Sequence, residues 1–210
     1  TTAPHSEYSH RSLRRRVARY LADTGIQRMA DLQHELIRDP QRCQHFVRGL
    51  TVNVTDMFRD PAFYSVLRTQ VIPELRSHPF IKIWHAGCST GEEAYSMSIL
   101  LQEEGLAERA VIYATDINSR VLEHARTGIY HDKMLVTARE NYQASGGKVQ
   151  LEDYISTGYE RFIMDPVLKR NIVFTTHDLV TDQVFGEMQL VICRNVLIYF
   201  RRELQSRVLT

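Results

Sequence analysis

The sequence predicts an α/β protein: a parallel sheet with helices on both faces, preceded by a small all-helical domain. Three observations carry that prediction. From residue 81 onward, short runs rich in β-branched and aromatic residues alternate with helical patterns, as in a parallel sheet. A glycine-containing turn, Gly87-Cys88-Ser89-Thr90-Gly91, separates the first such run from the helix after it. Before residue 51, apolar residues recur at helical spacing.

The elements follow in order. Leu13, Val17, Tyr20 and Leu21 form one helical stripe, and Met29, Leu32, Leu36 and Ile37 a second, with Gly25 breaking the two apart. Asp39-Pro40 reads as a helix start, with Asp as N-cap and Pro at the first helical position, leading into Cys43, Phe46, Val47 and Leu50. Asp60-Pro61 is a start of the same kind, leading into Phe63, Val66, Leu67 and Val71. Between them, Thr51 to Thr55 reads as extended, because β-branched residues crowd a helix. Ile81 to Trp84 is the first strand, and a helix runs from about Glu92 to Glu104. Val111 to Ala114 is the second strand, ending at Thr115-Asp116, and a helix follows from Ser119 to Thr127. Later strands are Ile172 to Thr175 and Leu190 to Cys193. Residues 128–170 carry the weakest pattern: Ser145-Gly146-Gly147 reads as a loop, and Tyr159 to Ile163 with the stretch after it as short strands, a β insertion at about 145–172. The domains expected are therefore 1–50, helical; 51–80, a linker and helix; and 81–210, the sheet.

Composition sets bounds. Of 210 residues, 43% are apolar and 24% charged, within the globular range. No apolar run approaches the ~18 residues a membrane helix needs. The polar N-terminus carries no secretory pattern. Cys43, Cys88 and Cys193 lie far apart, with no C-x-x-C and no zinc-ligand spacing, so no metal is expected and a reducing cytoplasm is. Residues 1–50 hold nine arginines and five acids, a local excess of +4 within a chain of net charge +1.

Chemistry concentrates at three places. Gly87 and Gly91 let the backbone pass close to a ligand, and the helix beyond offers unpaired N–H groups. The G-x-G-x-x-G fingerprint and the P-loop lysine are both absent, so NAD and ATP are not favoured. Asp116, at the carboxyl end of the second strand, suits the two hydroxyls of a ribose; it equally suits an N-cap, with Asn118 and Ser119 as rivals for that place. Arg194-Asn195 ends a buried strand and needs polar partners, either a ligand or nearby backbone. Tyr199 and Phe200 beyond it are equally readable as core aromatics.

Four blocks together make a specific resemblance. They are Asn53-Val54-Thr55-Asp56-Met57-Phe58-Arg59-Asp60-Pro61, Ala86-Gly87-Cys88-Ser89-Thr90-Gly91-Glu92-Glu93, Ala114-Thr115-Asp116-Ile117, and Cys193-Arg194-Asn195-Val196-Leu197-Ile198-Tyr199-Phe200. In order and spacing they resemble the signatures of the CheR-type chemoreceptor glutamate O-methyltransferases. The resemblance implies a Rossmann-like S-adenosylmethionine-dependent methyltransferase sheet with a small N-terminal helical receptor-docking domain. It implies methyl transfer from S-adenosylmethionine to glutamate carboxylates of chemotaxis receptors, with S-adenosylhomocysteine as product. By motif match, Asn53, Thr55 and Arg59 would line the cofactor site from the linker. Ala86 and Glu93 would contact the methionine and nucleoside end, Asp116 the ribose, Asp178-Leu179 the adenine, and Arg194-Asn195 would close the pocket. Arg59 and Tyr199 would place the acceptor.

This sequence departs from the family pattern in places. Ala94 stands where proline often follows the paired glutamates, Asp178 replaces an asparagine, and Gln189 replaces an aspartate. The family also continues past the position of Thr210 with a helix and an antiparallel strand pair, without which a sheet edge would be exposed.

A glutamate nucleophile, with an ordinary pKa of ~4.3, is ionised at neutral pH and needs no general base. The implied reaction is an in-line displacement in which a carboxylate and a sulfonium lose their charges together, with Arg59 holding the acceptor. Arg11, Arg14, Arg15 and Arg19 share neighbouring helix faces, which suits docking to an acidic receptor bundle or a plain solvated surface. The rival functions are a methyltransferase for another acceptor and a non-enzymatic S-adenosylmethionine-binding or S-adenosylhomocysteine-binding signalling module. Nucleic-acid binding is disfavoured, because no aromatic residues interleave with the arginines. Membrane insertion is not expected.

Overall fold

The computed structural model describes residues 5–39, 41–43, 45–46, 55–200 and 202–209. Two compact units emerge: Thr1–Val52 with Ile198–Phe200, and Asn53–Leu197 with Arg201–Thr210.

In the first unit, α1 (His5–Thr24) and α2 (Met29–Arg38) are joined at Gly25. Gly25 adopts φ +72°, and the Ile26 amide reaches back to the Leu21 carbonyl at 3.1 Å, which satisfies orphan carbonyls at the end of α1. Among the described residues of this unit Tyr20 and Leu32 are buried, and the Tyr20 ring meets Phe46 edge-on at 5.0 Å. Asp39 caps as its sequence position predicts: its carboxylate accepts from the amides of Gln41 and Arg42 at 2.8 and 3.2 Å. The extended reading of Thr51 to Val54 lies outside the described residues.

The second unit opens with α3 (Pro61–Val66), a π-helical segment (Leu67–Val71) and α4 (Ile72–Leu75). The sequence predicts one α-helix here. Pro73 explains the widened turn, because it has no N–H to return to the Thr69 carbonyl. The main sheet comprises β1 (Ile81–Ala86), β2 (Ala110–Asp116), β6 (Ile172–Thr176) and β7 (Leu190–Ile192). All pairs are parallel, in the order β6-β2-β1-β7. In chain order these are the third, second, first and fourth parallel strands. The order therefore reverses between β1 and β7, the switch point outside which such sheets bind ligands.

Helix α5 (Glu92–Glu103) follows β1, and α6 (Ser119–Thr127) follows β2. Helix α5 is buried from Ala94 to Leu101. Its two serines are tolerated there because each hydroxyl has a carbonyl partner, Ser96 on Glu92 and Ser98 on Leu168. One sheet face carries Ile81, Ile83, Ile112 and Ala114, all fully buried. On the other, Trp84, Tyr113, Val173 and Val191 share one register row, with Phe185 edge-on to Trp84 and Tyr113. Gln189 adds to the sheet rather than to the site: its side-chain oxygen accepts from the Lys82 amide at 2.8 Å, and its own amide donates back to the Lys82 carbonyl.

A second, antiparallel sheet has the order β3-β5-β4, from β3 (Ile129–His131), β4 (Ile155–Gly158) and β5 (Arg161–Met164). It draws a strand from upstream of the 145–172 range that the sequence suggests. It also encloses a helix that the sequence pattern did not predict, α7 (Leu135–Ala144). Further α-helices among the described residues include α8 (Pro166–Lys169) and α9 (Arg202–Leu209). Among the described residues, no helix is long and apolar enough to cross a membrane.

Candidate active site

The site is built where β1, β2 and β7 end. After β1 the chain turns through Gly87 at φ +78° and Gly91 at φ +95°. A Cβ on Gly87 would lie 2.3 Å from the Val196 side chain, so the turn and the segment after β7 are in contact that only glycine permits. The amides of Gly87 and Cys88 both donate to the Thr115 carbonyl at 2.8 Å, tying the turn to the end of β2.

Asp116 terminates β2. One carboxylate oxygen accepts from the Ser89 amide at 3.0 Å and the other from the Asn118 amide at 2.9 Å. The rival reading of Asp116 as a helix cap fails: Asn118 is the N-cap of α6, accepting from the Arg120 amide. Burial raises the Asp116 pKa above the ordinary value, against the lowering effect of its backbone donors. In these two hydrogen bonds each oxygen accepts one backbone amide, and a carboxylate oxygen can accept more than one donor.

Arg194 is the hub of the switch point. Its guanidinium donates to Glu93 at 3.1 Å, to the Arg59 carbonyl at 3.2 Å, and to the Asp60 carboxylate. It also lies 4.2 Å from the centroid of the Phe63 ring. Asp60 occupies the N-cap position of α3 with Pro61 after it, as its sequence predicts, but makes no side-chain cap because its carboxylate is drawn to Arg194. The 55–60 segment is pinned from behind. The Phe58 amide donates to Ser96 at 2.9 Å, and the Asn141 side chain donates to the Met57 carbonyl at 3.0 Å. The Arg59 backbone is thereby held beside the helix that follows the glycine turn.

Glu93 lies in the first turn of α5 between two cationic or proton-donating partners. His85 Nδ1 is 2.9 Å from one oxygen, and Arg194 holds the other. Burial pushes its pKa up, but His85 and Arg194 outweigh it and hold the carboxyl below the ordinary range. Its neighbour Glu92 is 3% exposed, accepts from the Thr90 hydroxyl, and is raised by burial to about 7.

Five non-glycine residues have positive φ among the described residues. Four of them, Phe58, Asp60, Ser89 and Asn195, belong to the three segments that meet here; the fifth, Glu160, is in the β4–β5 turn. Backbone strain of this kind concentrates at working sites.

The structure brings together Thr55, Arg59, Ala86, Glu93, Asp116, Arg194 and Asn195 on segments joined by these contacts. Ala86 is buried at the end of β1, Thr55 is partly exposed, and Asn195 is exposed at φ +59°. Asp178 and Leu179 follow β6, and the Asp178 oxygens accept locally from the Val180 amide and the Thr181 hydroxyl. Asn53 lies outside the described residues. Tyr199 closes a 3₁₀ turn, Leu197–Tyr199, and its side chain also lies outside them. Sequence reasoning missed His85, whose place eight residues before Glu93 on the preceding strand carries no local signal. It also missed Asp60 as the partner of Arg194. Among the described residues no cluster could hold a metal ion.

A glycine turn after the first strand, an acid at the end of the second and a 3-2-1-4 strand order that reverses beside them are the features of nucleoside-binding α/β proteins. The family model described as CheR methyltransferase, SAM binding domain matches residues 53–210. The chain belongs to this family of S-adenosylmethionine-dependent methyltransferases. It is 46% identical over 202 residues to the Pseudomonas putida protein named "Putative methyltransferase Cher3", covering 96% of this chain and 74% of that one. It is 30% identical to the chemotaxis protein methyltransferase of Listeria innocua, covering 93% and 72% of the two chains. It is likewise 30% identical to chemotaxis protein methyltransferase 1 of Vibrio cholerae, covering 94% and 73%.

Proposed function

We propose that the chain methylates glutamate side-chain carboxylates in the cytoplasmic domains of chemotaxis receptors, leaving methyl esters and S-adenosylhomocysteine. The observation that carries this reading is how the titratable groups at the strand ends are engaged. His85 is sealed against Glu93, Glu93 is shared with Arg194, and both Asp116 oxygens accept amides. None of these is presented as a general base. A hydroxyl acceptor, or an amine protonated at neutral pH, must give up a proton to react; a carboxylate does not.

The same groups fit the methyl donor. An adjacent carboxylate and guanidinium, Glu93 and Arg194, match the α-ammonium and α-carboxylate of an amino acid. The Asp116 oxygens, each able to accept more than one donor, match the two hydroxyls of a ribose. We assign Asn53, Thr55, Arg59, Ala86, Glu93, Asp116, Asp178, Leu179, Arg194 and Asn195 to the cofactor, and Arg59 and Tyr199 to the acceptor. S-adenosylmethionine, when bound, supplies a methyl group activated by a positively charged sulfur. The chain's own contribution is to orient, and to hold Arg59 beside the glycine turn through its backbone bond to Arg194. Residues 1–50 serve as the receptor-docking domain, 51–80 as the border of the cofactor site, and 81–210 as the methyltransferase domain.

The test is incubation with radiolabelled methyl donor and receptor cytoplasmic domains. The expected result is label on glutamate that is released by mild base as methanol. Base-stable label, label on another acceptor, or tight cofactor binding with no turnover would each overturn the assignment.

A further inference from the structure

Glu93 is fixed from behind by a residue that the assignment above leaves unused. His85 lies on β1, is 0% exposed, and presents Nδ1 to one Glu93 oxygen at 2.9 Å. Arg194 is at the other oxygen, at 3.1 Å. An ionised carboxylate only accepts, so the proton in the His85–Glu93 bond belongs to the imidazole Nδ1. The far nitrogen, Nε2, is buried and has no hydrogen-bond partner among the described residues. Leaving a buried ring nitrogen unpaired is costly, and a small apolar residue would fill a strand position without that cost. The Nδ1 contact is the one polar return on burying this ring.

We propose that His85 is a positioning residue for the methyl donor: its Nδ1–H fixes one oxygen of Glu93, so that the other, beside Arg194, is held as acceptor for the α-ammonium. The inference rests on the reading that Glu93 belongs to the cofactor site. It assigns His85 no contact with the donor and no part in the methyl transfer. Without the imidazole, Glu93 keeps Arg194 but is free to rotate, and its burial acts with less opposition. The charged and titratable groups that face this pair are Arg194 and, behind it, Asp60; Tyr64 on α3; and Cys88 and Cys193 at the ends of β1 and β7.

The experiment is calorimetric titration of S-adenosylmethionine and S-adenosylhomocysteine into wild type, His85→Ala, His85→Asn and Glu93→Gln, at a series of pH values. Steady-state methylation is measured alongside. An asparagine amide nitrogen can donate from near the Nδ1 position, whereas alanine cannot. His85→Ala is expected to weaken binding of both ligands about tenfold or more, the scale of a hydrogen bond to a charged group, and to leave kcat at saturating donor within about threefold. Its binding should also fail at a higher pH on the acid side, because burial then raises Glu93. His85→Asn should restore most of the affinity. If His85→Asn binds as weakly as His85→Ala, the imidazole acts by packing and the proposal is wrong. If His85→Ala binds like wild type while Glu93→Gln does not, the positioning role fails and the cofactor-site reading survives. If Glu93→Gln binds like wild type, that reading fails as well.

Discussion

Glu92 and Glu93 follow each other in the first turn of α5 and titrate in opposite directions. Acids in the first turn of a helix are ordinarily solvated and favoured by the dipole. In the fold, Glu92 turns inward, where Thr90 is its hydrogen-bond donor and the nearby Asp56 charge opposes ionisation, while Glu93 turns to His85 and Arg194. The two therefore contribute opposite pH dependence. The unfolded Glu92 ionises near its ordinary value of 4.5 and the folded one near about 7, so wild-type stability from this residue falls as pH rises through that window. Glu92→Gln should remove the fall and leave the variant more stable at pH 8 by up to about 3 kcal/mol. Urea unfolding at pH 4.5 and pH 8 measures this directly, and a variant less stable than wild type at pH 8 would show that the carboxylate is needed in its charged form. Glu93, held below its ordinary value, contributes stability above pH 4.5 that is lost as pH falls through its folded pKa.

At the scale of elements, the site depends on how closely the turn after β1 meets the segment after β7. Gly87→Ala would place a Cβ 2.3 Å from Val196, a β-branched side chain with little freedom to move aside, at a φ of +78°. Destabilisation of about 1–3 kcal/mol is expected in denaturant titration. Donor affinity should fall as well, because Val196 is two residues from Arg194; an unchanged midpoint would mean that the contact is not made. Sequence pattern reached the strands and turns that frame this contact. The Gly87–Gly91 turn, the end of β2 at Asp116 and the α6 boundaries Ser119–Thr127 are all set by local chemistry: glycine, a polar strand end, and an Asn118 cap. It did not reach what depends on distant partners. Asp60 looks like a cap, yet its carboxylate answers to Arg194, 134 residues on. Helix α7 buries only Leu135, Ala138 and Tyr142 along ten residues, too thin a stripe to stand out, and β3 is three residues long, too short for alternation.

At the scale of the molecule, the chain divides its charge as its units divide the sequence. Arg14, Arg15 and Arg19 are exposed on α1. If they steer the enzyme to an acidic receptor surface, replacing all three with glutamate should raise KM for the receptor about tenfold at low salt and flatten its salt dependence. Affinity for the methyl donor should be unaltered; an unaffected receptor KM would make this surface merely solvated. The enzyme reading turns on the β1–β7 switch point, where we propose Asp116 as the nucleoside anchor. Isothermal titration of S-adenosylmethionine into wild type and Asp116→Ala, both verified as folded by thermal melting, tests it most directly. One site per chain is expected in wild type, with affinity lowered at least about tenfold in the variant, the scale of lost hydrogen bonds to a carboxylate. Equal affinity in the two proteins would contradict it.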